Sequence, residues 1–222
     1  MPNEYYKNRL YPLQDDVLRL VAALNSPFYL TGGTALSRCY LHHRYSDDLD
    51  FFTNGFEGYQ RETERILDAL KKHFRLDVVL SDTDFLRVQL QRDDVFLKLD
   101  FINDVPFRIG GFESFEGCRI DNPFNILSNK LSALSRQAPK DYCDIAFLAK
   151  SFSFDWIDML AAAKQKDVWV NELTISELID QFDVDALKDI PWINQVDLSG
   201  LQNDFKVIAI DILKGENSFT NG

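Results

Sequence analysis

Apolar residues in "DDVLRLVAAL" recur at helical spacing, with Val17, Leu18, Leu20, Val21 and Leu24 on one broad stripe, and predict a helix. "SPFYLTGG" follows as a short apolar strand halted by two glycines. "TALSRCYLHHR" reads as the next helix, with Thr34 as its cap. In "DDLDFFT" strict alternation puts Leu49 and Phe51 on one strand face and Asp48 and Asp50 on the other. "YQRETERILDALKKHF" has the pattern of a charged amphipathic helix. After it, "LDVVLSDTD", "FLRVQLQRDD" and "VFLKLDFIND" alternate or cluster apolar residues between polar turns, which predicts an antiparallel meander. "FRIGGFESFEGCRIDN" continues in short strands. From Pro123 helical spacing dominates, in "PFNILSNKLSALSRQ", "KDYCDIAFLAKSF", "FDWIDMLAAAKQK" and "NELTISELIDQF". The expected class is α+β, with an α/β core over residues 1–120 and a helical subdomain, packed on it, over 121–222. No internal repeat or low-complexity stretch interrupts this order.

At 222 residues and 45% apolar content the chain is long enough for a sizeable core. Cys39, Cys118 and Cys143 form no CxxC or Cys/His pair, so reduced thiols of a cytoplasmic protein are expected. The N-terminus "MPNEYYKNRLYPLQDD" lacks the basic-then-apolar pattern of a leader, and no run of eighteen apolar residues suggests a membrane span. A net charge of −11 argues against an indiscriminate nucleic-acid binder. The charge is uneven, however. Residues 1–150 hold 19 Lys+Arg against 22 Asp+Glu, a net of −3, and residues 151–222 hold 5 against 13, a net of −8. An RNA or a nucleotide could approach the first part of the chain.

The chemistry concentrates in carboxylates. Two residues apart on a strand point the same way, with Cα atoms roughly 6.5 to 7 Å apart, so Asp48 and Asp50 can converge on one cation. In "VFLKLDF" Lys98 and Asp100 alternate with Leu97, Leu99 and Phe101 and project from one face. If the two strands are neighbours, three acids meet, an arrangement of hard oxygens that suits Mg²⁺. The alternative for Asp48 and Asp50 is a solvated acidic sheet edge, and for Asp100 an exposed charge paired with Lys98. Gly32 and Gly33 can take positive φ and let a phosphate approach the start of the next helix. Arg44 and Ser46, in the turn before the acids, could add phosphate contacts, or be an ordinary surface arginine and turn serine. Adjacent His42 and His43 point to different sides of a helix and cannot easily share a metal. No nucleophilic triad, Walker loop or zinc spacing is present.

The combination "GGTAL", a short helix and "HRYSDDLDF" resembles the abortive-infection toxin nucleotidyltransferases (AbiEii/AbiGii) of the DNA polymerase β-like superfamily. "NKLSALSRQAPKDYCDIAFL" is similar to the same family's K-x-x-A-x-x-x-R-x-x-x-[KR]-D-x-x-D segment, with Lys130, Ala133, Arg136, Lys140, Asp141 and Asp144 at the matching positions. The resemblance implies a mixed sheet with flanking helices followed by a helical part. It implies a phosphate loop at Gly32, Gly33 and Thr34, and two Mg²⁺ ions held by Asp48 and Asp50 with Asp100 as the third acid. Lys130 becomes a triphosphate contact, and Asp141 its partner or an orienter of the acceptor hydroxyl. Read from the residues alone, Lys130 could instead be a snorkelling surface lysine and Asp141 a dipole-complementing acid at a helix start.

The implied activity is transfer of a nucleoside monophosphate from an NTP to an acceptor, with tRNA 3′ ends among the acceptors and a separately encoded antitoxin as partner, in phage defence or plasmid maintenance. Two other readings stay open at this point. One is a non-catalytic nucleotide- or partner-binding module of the same fold, and the other a nucleotidyltransferase acting on a small molecule such as an antibiotic.

Overall fold

A computed structural model describes residues 2–220 and divides them into two compact units. The first comprises residues up to 39, 45–106 and 111–122, and the second residues 40–44, 107–110 and 123 onward.

The first unit is built on a seven-stranded mixed sheet of order β3-β4-β5-β2-β1-β7-β6. Its strands are β1 (Tyr29–Thr31), β2 (Leu49–Asn54), β3 (Arg75–Ser81), β4 (Phe85–Arg92), β5 (Val95–Asp104), β6 (Phe112–Phe115) and β7 (Cys118–Asp121). The meander expected over β3, β4 and β5 is antiparallel. β5 then runs parallel to β2, and β7 parallel to β1, which makes the sheet mixed. Alternation decides the faces, because successive side chains leave a strand on opposite sides. Leu30, Leu49, Phe51, Val88, Leu97, Leu99, Phe101 and Ile120 are all at most 1% exposed. Helices α2 (Tyr11–Ala23) and α4 (Tyr59–Leu70) bury Leu13, Val17, Val21, Ile66 and Leu70, and the Tyr59 hydroxyl donates to the Phe101 carbonyl at 2.8 Å. Each such side chain contributes about 1.5–3 kcal/mol when removed from water.

Three local features differ from the sequence reading. The N-terminal helix begins well before Val17: α1 (Pro2–Tyr5) leads through π-helical turns at Tyr6–Leu10 into α2, and Pro12, which has no N–H to donate, follows directly on those widened turns. The helix after β1 starts at Gly32, as α3 (Gly32–Ala35), and continues as π-helical turns over Leu36–Leu41. Thr34 is therefore inside the helix rather than its cap, and its hydroxyl donates to the Asp48 carbonyl instead. β2 begins at Leu49, so Asp48 stands just ahead of the strand.

The second unit is helical: α5 (Pro123–Ala133), α6 (Pro139–Ser151), α7 (Trp156–Lys164), α8 (Glu172–Asp180) and α9 (Leu198–Lys214). α9, of 17 residues, was not anticipated. Its near-continuous run "VIAIDIL" blurs the helical period, although Leu201, Phe205, Ile208 and Ile212 form a buried stripe. Asp197 caps its start and Gly215, at φ +84°, ends it. No helix among the described residues is long and apolar enough to cross a membrane.

Candidate active site

In the first unit, strand register brings the acids together. Asp50 of β2 lies directly beside Asp100 of β5, and Arg87 of β4 lies beside Asp100 on the other side. Paired residues share a sheet face, so Arg87, Asp100 and Asp50 form one row across three strands. Lys98 lies two residues before Asp100 on the same face, and its Nζ is 2.7 Å from Asp48 Oδ2 and 3.8 Å from Asp100 Oδ2. Arg87 takes both oxygens of Asp100, with Nε and Nη2 each at 2.7 Å. Asp48 and Asp100 thus converge on one ammonium. Burial disfavours the charge of Lys98, yet its hydrogen bond to Asp48 and the fields of Asp48, Asp100 and Asp50 raise its pKa overall. The hydrogen bond to Asp100 likewise holds the Arg87 guanidinium above its ordinary value.

The glycine turn meets this cluster at Gly32. Its φ is +68°, and a Cβ there would sit 2.5 Å from Asp50 Oδ2. Backbone conformation and close approach both require glycine at this position. Gly33 is not in the left-handed region, so of the two glycines only Gly32 has the positive φ expected of the pair. Thr34 anchors the chain just before β2 through the Asp48 carbonyl, and Ser46 is held by its backbone, its carbonyl accepting from Gln14 Nε2 at 3.1 Å. Thr31 of β1, beside Asp50 in register, donates to Asp121 at 2.8 Å. Gly32, Thr34, Ser46, Asp48, Asp50 and Asp100 all belong to this unit.

Arg44, Lys130 and Asp141 belong to the second unit, where they join a buried polar network around Asp144 of α6. Arg44 was expected at a phosphate; it is 1% exposed and donates from Nε and Nη2 to the two oxygens of Asp144, at 2.8 and 2.7 Å. Lys130 Nζ lies 2.5 Å from Asp141 Oδ1 and 2.8 Å from Asp144 Oδ2. Lys130 is therefore a buried ammonium between two carboxylates, not a snorkelling surface residue. Burial alone would push the Asp144 carboxyl up, but Arg44 and Lys130 hold it well below the usual carboxylate range. Burial opposes the Lys130 charge in turn, and Asp144 and Asp141 more than restore it. His43 Nε2 is 2.8 Å from Asp144 Oδ1, while Nδ1 is buried without a partner, so the ring is neutral with its proton on Nε2. The helical run ends at Leu41, so neither His42 nor His43 lies on the helix expected for them; His42, at φ +50°, is exposed while His43 is buried. Ligand atoms of His43, Cys143 and Asp144 lie within 4.8 Å of one another, but the two cations already on Asp144 make this a poor cation site.

One participant and one pairing were not read from the sequence. Arg87 could have been found by counting back from the two-residue loop Asp93–Asp94, which pairs Arg92 with Val95 and so Arg87 with Asp100. The pairing of Arg44 with Asp144 spans 100 residues and leaves no local signal. An open cavity of about 420 Å³, lined by Gly55, Phe56, Tyr59, Thr83, Asp84 and Asn103 among others, lies at the far ends of β2 and β5. Five residues of strand, roughly 16 Å, separate Gly55 from Asp50, so this cavity is not part of the acidic cluster.

The family model of the AbiEii nucleotidyl transferase toxin, type IV toxin–antitoxin system, matches residues 17–218. No curated protein matches the chain. Two solved structures from Helicobacter pylori resemble it in fold. One, described as a candidate nucleotidyltransferase, is 22% identical with a TM-score of 0.64 over 92% of this chain and 93% of that one. The other, JHP933, is 23% identical with a TM-score of 0.64 over 92% of this chain and 90% of that one. The motif pair in the sequence, the mixed sheet carrying aligned aspartates and a family match over most of the length agree: the chain belongs to the AbiEii nucleotidyltransferase toxin family.

Proposed function

We propose that this nucleotidyltransferase moves a nucleoside monophosphate from an NTP to an acceptor hydroxyl with divalent metal, Mg²⁺ in the cell, held by Asp48, Asp50 and Asp100. The observation that carries this reading is the convergence of Asp48 and Asp100 on one ammonium, beside an Asp50 in direct register with Asp100. The donor set fits such a metal: all the groups are hard carboxylate oxygens, and a cation already occupies the space between two of them. A bound divalent ion, or a pair of them, would neutralise the charge developing on the phosphate and on the attacking and leaving oxygens.

The chain's own residues do the rest. Gly32 lets the backbone turn tightly over Asp50, and the N–H groups opening the helical run Gly32–Leu41 receive phosphate oxygens, with Gly33 and Thr34 at its start. Asp100 accepts the proton of the acceptor hydroxyl as that oxygen attacks the α-phosphorus and pyrophosphate leaves. Lys130 and Asp141 are assigned to the same reaction from their motif, Lys130 as a triphosphate contact and Asp141 as its carboxylate partner. Arg44 is assigned to positioning, through Asp144, rather than to phosphate. Most of the rate enhancement comes from orientation and charge neutralisation.

The acceptor we favour is RNA, with tRNA as the first to test, and the partner a cognate antitoxin, in phage defence. The 1–150 region, at a net of −3, is the part that an RNA can approach, and the −8 of residues 151–222 suits a basic antitoxin as well as it suits a small or protein acceptor. Incubating the protein with each labelled NTP, Mg²⁺ and a cell extract separates these outcomes by the fraction that carries label. Asp48→Asn and Asp50→Asn should each lower incorporation by roughly a thousandfold or more and leave the unfolding midpoint within a few degrees of the wild type's, since each keeps the side chain's size and its place in the sheet. Wild-type transfer by either variant would refute the assignment of the acids.

A further inference from the structure

The three acids do not stand alone in this structure. Arg87 occupies both oxygens of Asp100, and Lys98 bridges Asp48 and Asp100. A metal drawing on Asp100 must share its oxygens, and the charge on them, with Arg87, and a metal between Asp48 and Asp100 competes with the Lys98 ammonium for the same space. The five groups together carry a formal charge of −1, three carboxylates against two cations, where the bare acids would carry −3. Both cations sit on adjacent strands whose register fixes their Cα positions, and both side chains are about one-third exposed, at 37% for Arg87 and 32% for Lys98. They can therefore leave the acids without unfolding anything.

We propose that Arg87 and Lys98 are resident counter-cations that compete with divalent metal for Asp48 and Asp100 and so set the affinity of the site for it. The inference rests on the metal-site reading above. Without metal, the pair removes the repulsion of three neighbouring carboxylates and keeps the sheet face stable. When metal enters, the two side chains are released beside it, where the phosphate oxygens of a nucleotide are their next available partners. Nucleotide and metal thereby favour one another's binding, because the phosphates hold the competitors away from the acids, and this coupling is reciprocal. Arg87 and Lys98 are positioning residues in this account: they act on the metal through the carboxylates.

The test is Mn²⁺ binding to the whole protein without nucleotide, followed by electron paramagnetic resonance. Lys98→Met and Arg87→Met keep the aliphatic stems and remove the charges, and each should bind Mn²⁺ at least fivefold more tightly than the wild type. Lys98→Arg, which restores the charge, should return to within about twofold of it. In chelator the two Met variants should unfold at lower temperature than the wild type, and Mn²⁺ should raise their midpoints by more than it raises the wild type's. Mn²⁺ affinity within twofold of the wild type in both Met variants would overturn the inference while leaving the metal site intact, provided Asp50→Asn still weakens binding. If Asp50→Asn binds Mn²⁺ as the wild type does, the metal-site reading itself fails. A Met variant that does not fold is replaced by Lys98→Gln or Arg87→Gln, read in the same way.

Discussion

At Gly32 two independent constraints meet on one residue. The φ of +68° is the left-handed region, which costs a side-chain-bearing residue about 1–3 kcal/mol. A Cβ would also stand 2.5 Å from the Asp50 carboxylate, so the acid itself must move. Gly32→Ala should destabilise the protein by about 1–3 kcal/mol in urea unfolding. It should also lower nucleotide incorporation much further than that loss explains, because the displaced group is Asp50. A variant with the stability loss and full transfer would show that Asp50 tolerates displacement. This residue was legible in outline: a glycine pair before a helix and a DxD after it point to phosphate and metal. That only the first glycine needs its freedom was not legible, since the reason is the approach of Asp50, eighteen residues away in sequence.

Among elements, the strands were read well because burial on one face imposes a period of two, and "LDFF" and "VFLKLDF" carry it plainly. What no period conveys is which strands are neighbours, and the site depends on that: β2 and β5 are separated by α4, β3 and β4, yet pair in parallel. The helical unit has the same property. Residues 40–44, α5 and α6 each contribute to the network on Asp144, with His43 and Arg44 from the first, Lys130 from the second and Asp144 from the third. This network sets a pH dependence whose sign follows from burial. Burial lowers the His43 pKa, and its hydrogen bond to Asp144 only partly offsets this. The folded protein therefore resists protonation there, whereas the unfolded chain takes a proton near pH 6.5. Stability should be full above about pH 6.5 and fall as the pH drops below it, before the carboxylates titrate near pH 4. Urea unfolding at pH 7.5 and pH 5.5 should show the fall in the wild type, and His43→Gln should flatten it; an equal fall in both would place its origin elsewhere.

For the whole chain, the linear sequence conveys composition and charge but not how segments are shared between compact units. Residues 40–44 and 107–110 belong to the second unit although both stretches lie within the first in sequence, so a boundary drawn at one position cannot describe the division. Hydrophobic period stays the same whichever unit a segment joins, which is why these excursions left no trace. Charge, by contrast, is fully legible, and it has a consequence at this scale. A net charge of −11, with −8 of it in residues 151–222, makes the folded chain repel itself. Exposed pairs such as Arg19–Glu116, Arg65–Glu62 and Lys188–Asp185 work against that repulsion, but each is worth only about 0–1 kcal/mol. The ion pairs around Asp144 are buried and little affected by salt. Raising KCl from 20 to 300 mM shortens the screening length from roughly 20 Å to about 6 Å, which weakens long-range repulsion more than contacts below 4 Å. The unfolding midpoint should therefore rise by a few degrees over that range. The rise should shrink when acidic residues of the 151–222 region that make no ion pair, such as Glu177 and Asp180, are changed to Gln and Asn. A midpoint that falls with salt would mean that the exposed pairs outweigh the net charge, the reverse of the balance argued from these magnitudes.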